Sequence, residues 1–184
     1  MFLVSIILPC YNESLSLTTL HKKALFLADN YDIEFIFLDN GSIDDTWKIM
    51  NSFEKNEKIR FIKIKKNKGY GYGIKHALGF SNGKYIGWTH SDLQTDLFDL
   101  IKVFDFLAEE KQINPNSKKL AFKGKRFARG VIDTFISNGM SFFSMILFAS
   151  NKFYEINAQP SIYDNHLKSS LILAPDDYNF DLGA

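Results

Sequence analysis

The chain has 184 residues, enough for one domain with its own core. Its 46% hydrophobic and 23% charged residues exclude a disordered chain, and a net charge of +1 excludes a general polyanion binder, so no nucleic-acid partner is expected. The single Cys10 excludes an internal disulfide and fits a reducing compartment, while 18 Phe and 8 Tyr supply aromatic surface for a partner or a membrane. Phe2 to Leu8 is apolar, but it has no basic stretch before it and meets Pro9 at once, so a signal peptide is not expected and the chain is read as cytoplasmic.

Taken in order, Phe2 to Leu8 is a continuous apolar run, as expected of a buried parallel strand, with Pro9 ending it. Ser14 or Ser16 caps a helix reaching about Ala28. Ile33 to Leu38 reads as a second buried strand. Ser42-Ile43-Asp44-Asp45 is a capping-box variant opening a helix through about Phe53. Ile59 to Ile64 is a third strand. The Gly69-Tyr70-Gly71-Tyr72-Gly73 turn leads into a helix over Ile74 to Phe80. Lys84 to Thr89 is a fourth strand, and Thr95 caps a helix to about Glu109. Leu120 to Lys123 is a short strand, followed by the basic run Gly124 to Arg129. Val131 to Ala149 is a long apolar helix candidate, interrupted by Asp133, Asn138 and several serines, which argues against a membrane span and for a core or interfacial helix. Strands alternating with helices at this spacing imply an α/β domain with a mostly parallel central sheet flanked by helices.

In such a sheet the strand ends converge on one edge, where open α/β folds keep their chemistry. Three constellations arrive there: Pro9-Cys10-Tyr11-Asn12-Glu13, Asp39-Asn40-Gly41-Ser42, and His90-Ser91-Asp92-Leu93-Gln94. The first offers an aromatic face and a carboxylate, enough to stack on a base and bond its edge. Asp39 can accept from a ribose hydroxyl or a base N–H, whereas Ser42 and Asp45 are read as helix caps. Residues i and i+2 of an extended segment share a side, so His90, Asp92 and Gln94 could face one ligand together. Two oxygens and an imidazole suit Mn²⁺, or Mg²⁺ with waters completing its shell. The glycines after Lys68 follow the third strand rather than the first, so a dinucleotide fingerprint is not supported. They fit either backbone N–H groups approaching a phosphate or a tight turn, and Lys68 would add charge.

The segments Val4 to Glu13, Phe37 to Thr46 and Asn67-Lys68-Gly69 together resemble the signatures of family 2 glycosyltransferases with the GT-A fold. His90 to Gln94 falls where that family carries its Asp-x-Asp metal motif. The Leu-Gln that follows Asp92 is closest to the polyprenyl-phosphate sugar transferase branch, the dolichol-phosphate mannose synthase-like enzymes. The similarity spans roughly residues 3 to 160. It implies a single GT-A domain over residues 1–184, with a nucleotide-sugar-binding half at 1–110 and an acceptor-side half at 111–184 that is expected to be incomplete.

By that resemblance Pro9, Tyr11, Glu13, Asp39, Lys68 and Gly69 would bind the nucleotide of a UDP- or GDP-type sugar donor. Asp92 and Gln94 would ligate a divalent cation, Mn²⁺ or Mg²⁺, bridging its diphosphate. Arg126 would grip the phosphate of a lipid-phosphate or glycan acceptor, so Asp92 and Arg126 are the candidate catalytic residues. The expected reaction is inverting, metal-dependent sugar transfer, with peripheral contact at the inner membrane face. Two departures stand out. His90 replaces the leading Asp of the metal motif; the reading favoured is that Asp92 and Gln94 hold the ion while His90 packs nearby, with ligation by His90 left open. The chain also ends close to where relatives continue, so the alternative is a non-catalytic nucleotide-sugar-binding or assembly module.

Overall fold

The computed structural model describes residues 2–113, 121–124 and 159–183. Six strands, β1 (Val4–Cys10), β2 (Ile33–Asn40), β3 (Ile59–Ile64), β4 (Tyr85–Trp88), β5 (Ala121–Lys123) and β6 (Ser161–Asp164), form one sheet in the order β3-β2-β1-β4-β6-β5. The first four are parallel, and β6 runs antiparallel to both β4 and β5. The mostly parallel sheet is as expected; β6, which the sequence reading did not anticipate, supplies the antiparallel part.

Helices α1 (Leu17–Asn30), α2 (Thr46–Ser52), α3 (Tyr70–Leu78) and α4 (Leu100–Ile113) follow β1, β2, β3 and β4 in turn. The period of two in each strand sorts its side chains between two cores. Val4, Ile6 and Leu8 of β1 and Phe35 and Phe37 of β2 pack with α1, Met50 and α4. Ile7 of β1, Ile36 and Leu38 of β2, and Ile86 and Trp88 of β4 pack with α3, Leu171 and Phe180 on the other side. Covered on both faces, all eight residues of β2 are buried, Glu34, Asp39 and Asn40 among them.

Several element ends differ from expectation, each for a local reason. Pro9 does not end β1, which continues to Cys10. Thr89 N donates to Ile7 O, so the odd residues of β1 address β4. Pairing with β4 stops at Ile7 opposite Trp88, and the missing N–H of Pro9 therefore costs no ladder bond. Helix α3 begins at Tyr70 instead of after the glycines, with Gly71 and Gly73 inside it and buried. Asp96, not Thr95, caps the helical segment after β4, accepting from Phe98 N at 3.1 Å. The Ser42–Asp45 capping box does not form: Asp45 stands at the N-cap of α2 without a side-chain cap bond. The candidate helix 131–149, Arg126, Lys125 and Arg129 lie outside the described residues.

Candidate functional site

The strand order reverses between β2-β1 and β1-β4, which puts a crevice at the carboxyl end of β1. Two sets of hydrogen bonds build its rim. Asn12, in the left-handed region at φ 58°, accepts from Ile43 N at 3.0 Å through its side chain, and its own N–H donates to Ser42 Oγ at 3.0 Å. Glu13 N donates to Thr46 Oγ1 at 2.8 Å and Ser14 N to Asp44 Oδ2 at 3.2 Å. The polar residues read as helix caps thus join the β1–α1 loop to the β2–α2 loop. Burial raises the Asp44 carboxyl, but bonds from Thr46 and Ser14 outweigh it and pull the pKa down to about 2. On the other side Ser91 Oγ donates to Pro9 O at 2.7 Å, fastening the loop after β4 to β1.

Inside this rim lies a pocket of ≈ 160 Å³ lined by Pro9, Cys10, Tyr11, Asn40, Asn67, Gly69, Tyr70 and Tyr178. Of the expected nucleotide-binding residues, Pro9, Tyr11 and Gly69 come together here. Asp39, next to Asn40, is fully buried at the end of β2. Its Oδ1 accepts from Ser42 N at 2.8 Å, and its Oδ2 has no hydrogen-bond partner, with Lys63 Nζ 4.0 Å away. Asn40 donates through Nδ2 to Gly69 O at 3.0 Å and leaves Oδ1 buried and unbonded. Glu13 stands at the rim, its Oε2 accepting from Ser16 Oγ at 2.9 Å. Burial and the charges of Asp92 and Asp44 hold its carboxyl above the usual range, against that hydrogen bond. The first and fourth strand ends therefore bring two carboxylates into each other's field. Lys68 is exposed, does not line the pocket, and places Nζ 4.9 Å from the Tyr72 ring centre.

Gly69, at φ 115° with its N–H on Asn67 Oδ1 at 2.8 Å, makes the tight turn weighed on the sequence, and the glycines serve a further purpose as well. Gly71 N donates to Asp177 O at 3.2 Å and Tyr72 N to Asp176 O at 2.9 Å, so these first-turn amides of α3 are engaged by the C-terminal segment. A Cβ at Gly69 would strike the Asp176 carbonyl, and one at Gly71 the Pro175 carbonyl. Gly69 and Gly71 form a seat for residues 174–180, while Gly73 makes room for the Asn40 side chain.

The segment 90–94 is not extended. Strand β4 ends at Trp88, Leu93 has φ 64°, and Asp92 Oδ1 accepts from Gln94 N at 3.0 Å in an Asx turn. The same-side rule for i and i+2 does not apply to such a turn. His90 instead stands in the field of Asp181. Among the described residues no group of three His, Cys, Asp or Glu side chains is placed to hold a metal ion. Asp181 itself is buried, accepting from Trp88 Nε1 at 2.8 Å and from Gln159 Nε2 at 3.5 Å, while the same Gln159 nitrogen donates to Tyr70 OH at 2.7 Å. Burial raises the Asp181 carboxyl despite the opposing effects of Trp88, Lys123, His90 and Gln159. Asn40, Asn67, Tyr70, Tyr178 and Asp181 were not singled out on the sequence. Asn40 carried a signal in its position beside Asp39, and Asn67 in the Asn67-Lys68-Gly69 segment.

An α/β domain with a pocket at the switch point of a mostly parallel sheet belongs to the class of open α/β folds that bind their ligands there. The chain matches the family described as Glycosyl transferase family 2 over residues 5–154, and it belongs to that family. It is 32% identical over 114 residues to dolichyl-phosphate beta-glucosyltransferase of Dictyostelium discoideum, covering 56% of this chain and 35% of the relative. Its fold is similar to that of S. aureus TarS in complex with UDP-GlcNAc (TM-score 0.63, 20% identity, 100% of this chain and 53% of that one). It is also similar to glucosyl-3-phosphoglycerate synthase from Mycobacterium tuberculosis solved with Mn²⁺, UDP and glucosyl-3-phosphoglycerate (TM-score 0.66, 18% identity, 97% and 62%). These likenesses show the GT-A fold. The chain spans about a third of the curated relative's length, and 53% and 62% of the two solved structures.

Proposed function

We propose that this chain transfers a sugar from a UDP-type donor to a polyprenyl phosphate or another cell-envelope glycan acceptor, with inversion and with a divalent cation. The observation that carries the reading is Asp39: a buried carboxylate oxygen that accepts no hydrogen bond and has only the Lys63 ammonium, 4.0 Å away, at the carboxyl end of β2 next to the pocket residue Asn40. A buried acceptor left unbonded is costly, and a ligand N–H or O–H would offset that cost. The imide N–H of uracil or a ribose hydroxyl supplies such a donor. Tyr11 offers its ring to the base, while Pro9, Gly69 and Glu13 shape the same edge, and Lys68 is near enough in sequence to add positive charge. UDP and UDP-GlcNAc bound to proteins of this fold support a UDP-type donor over a GDP-type one. The dolichyl-phosphate relative supports a lipid-phosphate acceptor.

The donor set fits a hard cation held mainly by its substrate. Asp92 is exposed and keeps one carboxylate oxygen outside its Asx turn. Mg²⁺ and similar ions commonly take one or two carboxylates, with substrate phosphates and water completing the shell. Asp92 with Gln94 would hold the ion, with His90 the weakest of the three. When bound, it neutralises charge on the leaving diphosphate. Arg126 would receive the acceptor phosphate, whose oxygen is already ionised and needs little help from a base to attack. Among the described residues no helix is long and apolar enough to cross a membrane. A lipid-phosphate acceptor would bring the protein to the inner membrane face as a peripheral partner.

The test is thermal stabilisation by a panel of UDP-, GDP- and CMP-linked sugars with and without Mn²⁺, followed by assay of nucleotide release with a polyprenyl phosphate. UDP-sugars should stabilise most, and release should depend on the acceptor. Binding without turnover for any acceptor would end the enzyme reading and leave the non-catalytic module.

A further inference from the structure

One residue of the pocket is held from behind. Tyr70 opens α3 and lines the pocket, its ring stacked on Tyr178 with centres 5.8 Å apart and planes 10° apart. Tyr178 is 84% exposed, so the stack gives Tyr70 no fixed support from the solvent side. The support lies inside. The Tyr70 hydroxyl accepts from Gln159 Nε2 at 2.7 Å, and the same nitrogen donates to Asp181 Oδ2 at 3.5 Å. Asp181 is anchored in turn by the Trp88 indole, whose Nε1 donates to Oδ1 at 2.8 Å. Burial first, and then the Asp181 charge, raises the pKa of the Tyr70 hydroxyl, which keeps its own proton to donate.

These groups come from distant places in the chain: the start of α3, the end of β4, the stretch just before β6, and the short terminal helix Phe180–Gly183. Gln159 is 5% exposed, Asp181 6%, and Trp88 is fully buried. A polar cluster so enclosed commonly contributes no more stability than apolar side chains of the same size, but it holds its members in one arrangement. Of the four side chains only Tyr70 lines the pocket. What the cluster holds in place is therefore a pocket wall.

We propose that Gln159 and Asp181 are positioning residues for nucleotide binding: Asp181 orients the Gln159 amide, and that amide holds Tyr70 as an aromatic wall of the pocket. This rests on the nucleotide-sugar reading above. Neither residue lines the pocket, so both act through Tyr70.

The experiment measures UDP affinity by calorimetry, without metal and well below each melting temperature. The proteins are the wild type, Gln159→Leu, Tyr70→Phe, the double variant of these two, Asp181→Ala and Asp181→Asn. Gln159→Leu removes the donor and should weaken UDP about threefold or more. Tyr70→Phe removes the acceptor and should do the same, and the double variant should be no weaker than either single one. A cluster that only supports the fold would lower melting temperatures and leave these affinities alone. Asp181→Ala should weaken UDP likewise. Asp181→Asn should stay within about twofold of the wild type, because the Gln159 amide can turn its unbonded Oε1 to accept from both the new N–H and the Tyr70 hydroxyl. UDP affinity unchanged in Gln159→Leu, or penalties that add in full in the double variant, overturns the inference while leaving nucleotide binding intact. Asp181→Asn falling as far as Asp181→Ala overturns the part given to Asp181. If Asp181→Ala does not fold, the cycle of Gln159→Leu and Tyr70→Phe decides alone. A wild type that does not bind UDP overturns the functional reading itself, and this inference with it.

Discussion

Gly71 of α3 lies directly under the carbonyl of Pro175, and a Cβ there would also come within 2.9 Å of the Phe180 Cβ. More than a hundred residues separate the two in sequence, yet the contact decides why a helix opens with alternating glycines. Helix propensity alone favours Ala over Gly by about 1 kcal/mol in a helix interior. Here the collision is with backbone, which cannot rotate away, and overpacking of that kind costs about 1–3 kcal/mol. Gly71→Ala should therefore lower the melting temperature, against the propensity trend. It should also weaken nucleotide binding by shifting residues 174–180. A melting temperature equal to or above that of the wild type would show that the segment moves aside at no cost.

The same contact explains what the sequence could and could not disclose. Tyr11 and Asp39 were legible because a strand end followed by polar residues is a local pattern, and four parallel strands carry such ends to one edge. The two loops also advertised their polar residues, but not all of their partners: Ser42 accepts from Asn12 across space, and Asp44 accepts from Ser14 as well as from Thr46 at the start of α2. Strand β6 was invisible because it is four residues long, follows Pro160 and ends on a buried aspartate. Tyr178 had no local signature at all. Its place in the pocket lining follows from the seat that Gly69 and Gly71 make for its neighbours, a tertiary fact that no periodicity carries.

Asp92 and His90 separate the metal readings. Asp92→Ala should remove the Mn²⁺-dependent part of the stabilisation by UDP-sugars while leaving the metal-independent part. Survival of the full metal effect would move the ion elsewhere. His90→Asp restores a charged oxygen donor at the start of the turn and should preserve or strengthen Mg²⁺ dependence. A loss of metal binding in that variant would make His90 a required ligand. Thermal shift titrations with each metal report both outcomes.

Asp181 tests what a buried carboxylate does beneath the site. Burial holds its pKa above the unfolded value, so its ionised form is disfavoured in the native state. Native stability is thus highest at low pH with respect to this group, and it falls as pH rises from about 4 through the folded pKa. Asp181→Asn keeps an acceptor for Trp88 Nε1 and removes the charge, so at pH 7 to 8 it should be as stable as the wild type or more so. Asp181→Ala leaves the indole N–H buried and unpaired and should cost about 1–3 kcal/mol. Urea unfolding at several pH values distinguishes them. If Asn destabilises as much as Ala at neutral pH, the negative charge is required as the counter-charge to Lys123 and His90.

His21 offers the opposite sign. It is 6% exposed on α1, stacked on Phe53 with ring centres 3.9 Å apart, and Phe37 and Phe61 close around it. Its Nε2 has no hydrogen-bond partner, and burial lowers its pKa below 6.5. The native state resists the proton that the unfolded chain accepts, so stability is unaffected above pH 6.5 and falls as pH drops through the window between 6.5 and the lowered value. Below that window both states are protonated and the loss is complete. His21→Phe keeps the aromatic stack without a titrating nitrogen. The difference in unfolding free energy between wild type and variant should therefore be constant above pH 6.5 and shift toward the variant below it. The other histidines are common to both proteins and cancel from that difference, so a difference that stays flat from pH 8 to about 5 would show that His21 takes up its proton inside the aromatic cluster at no cost.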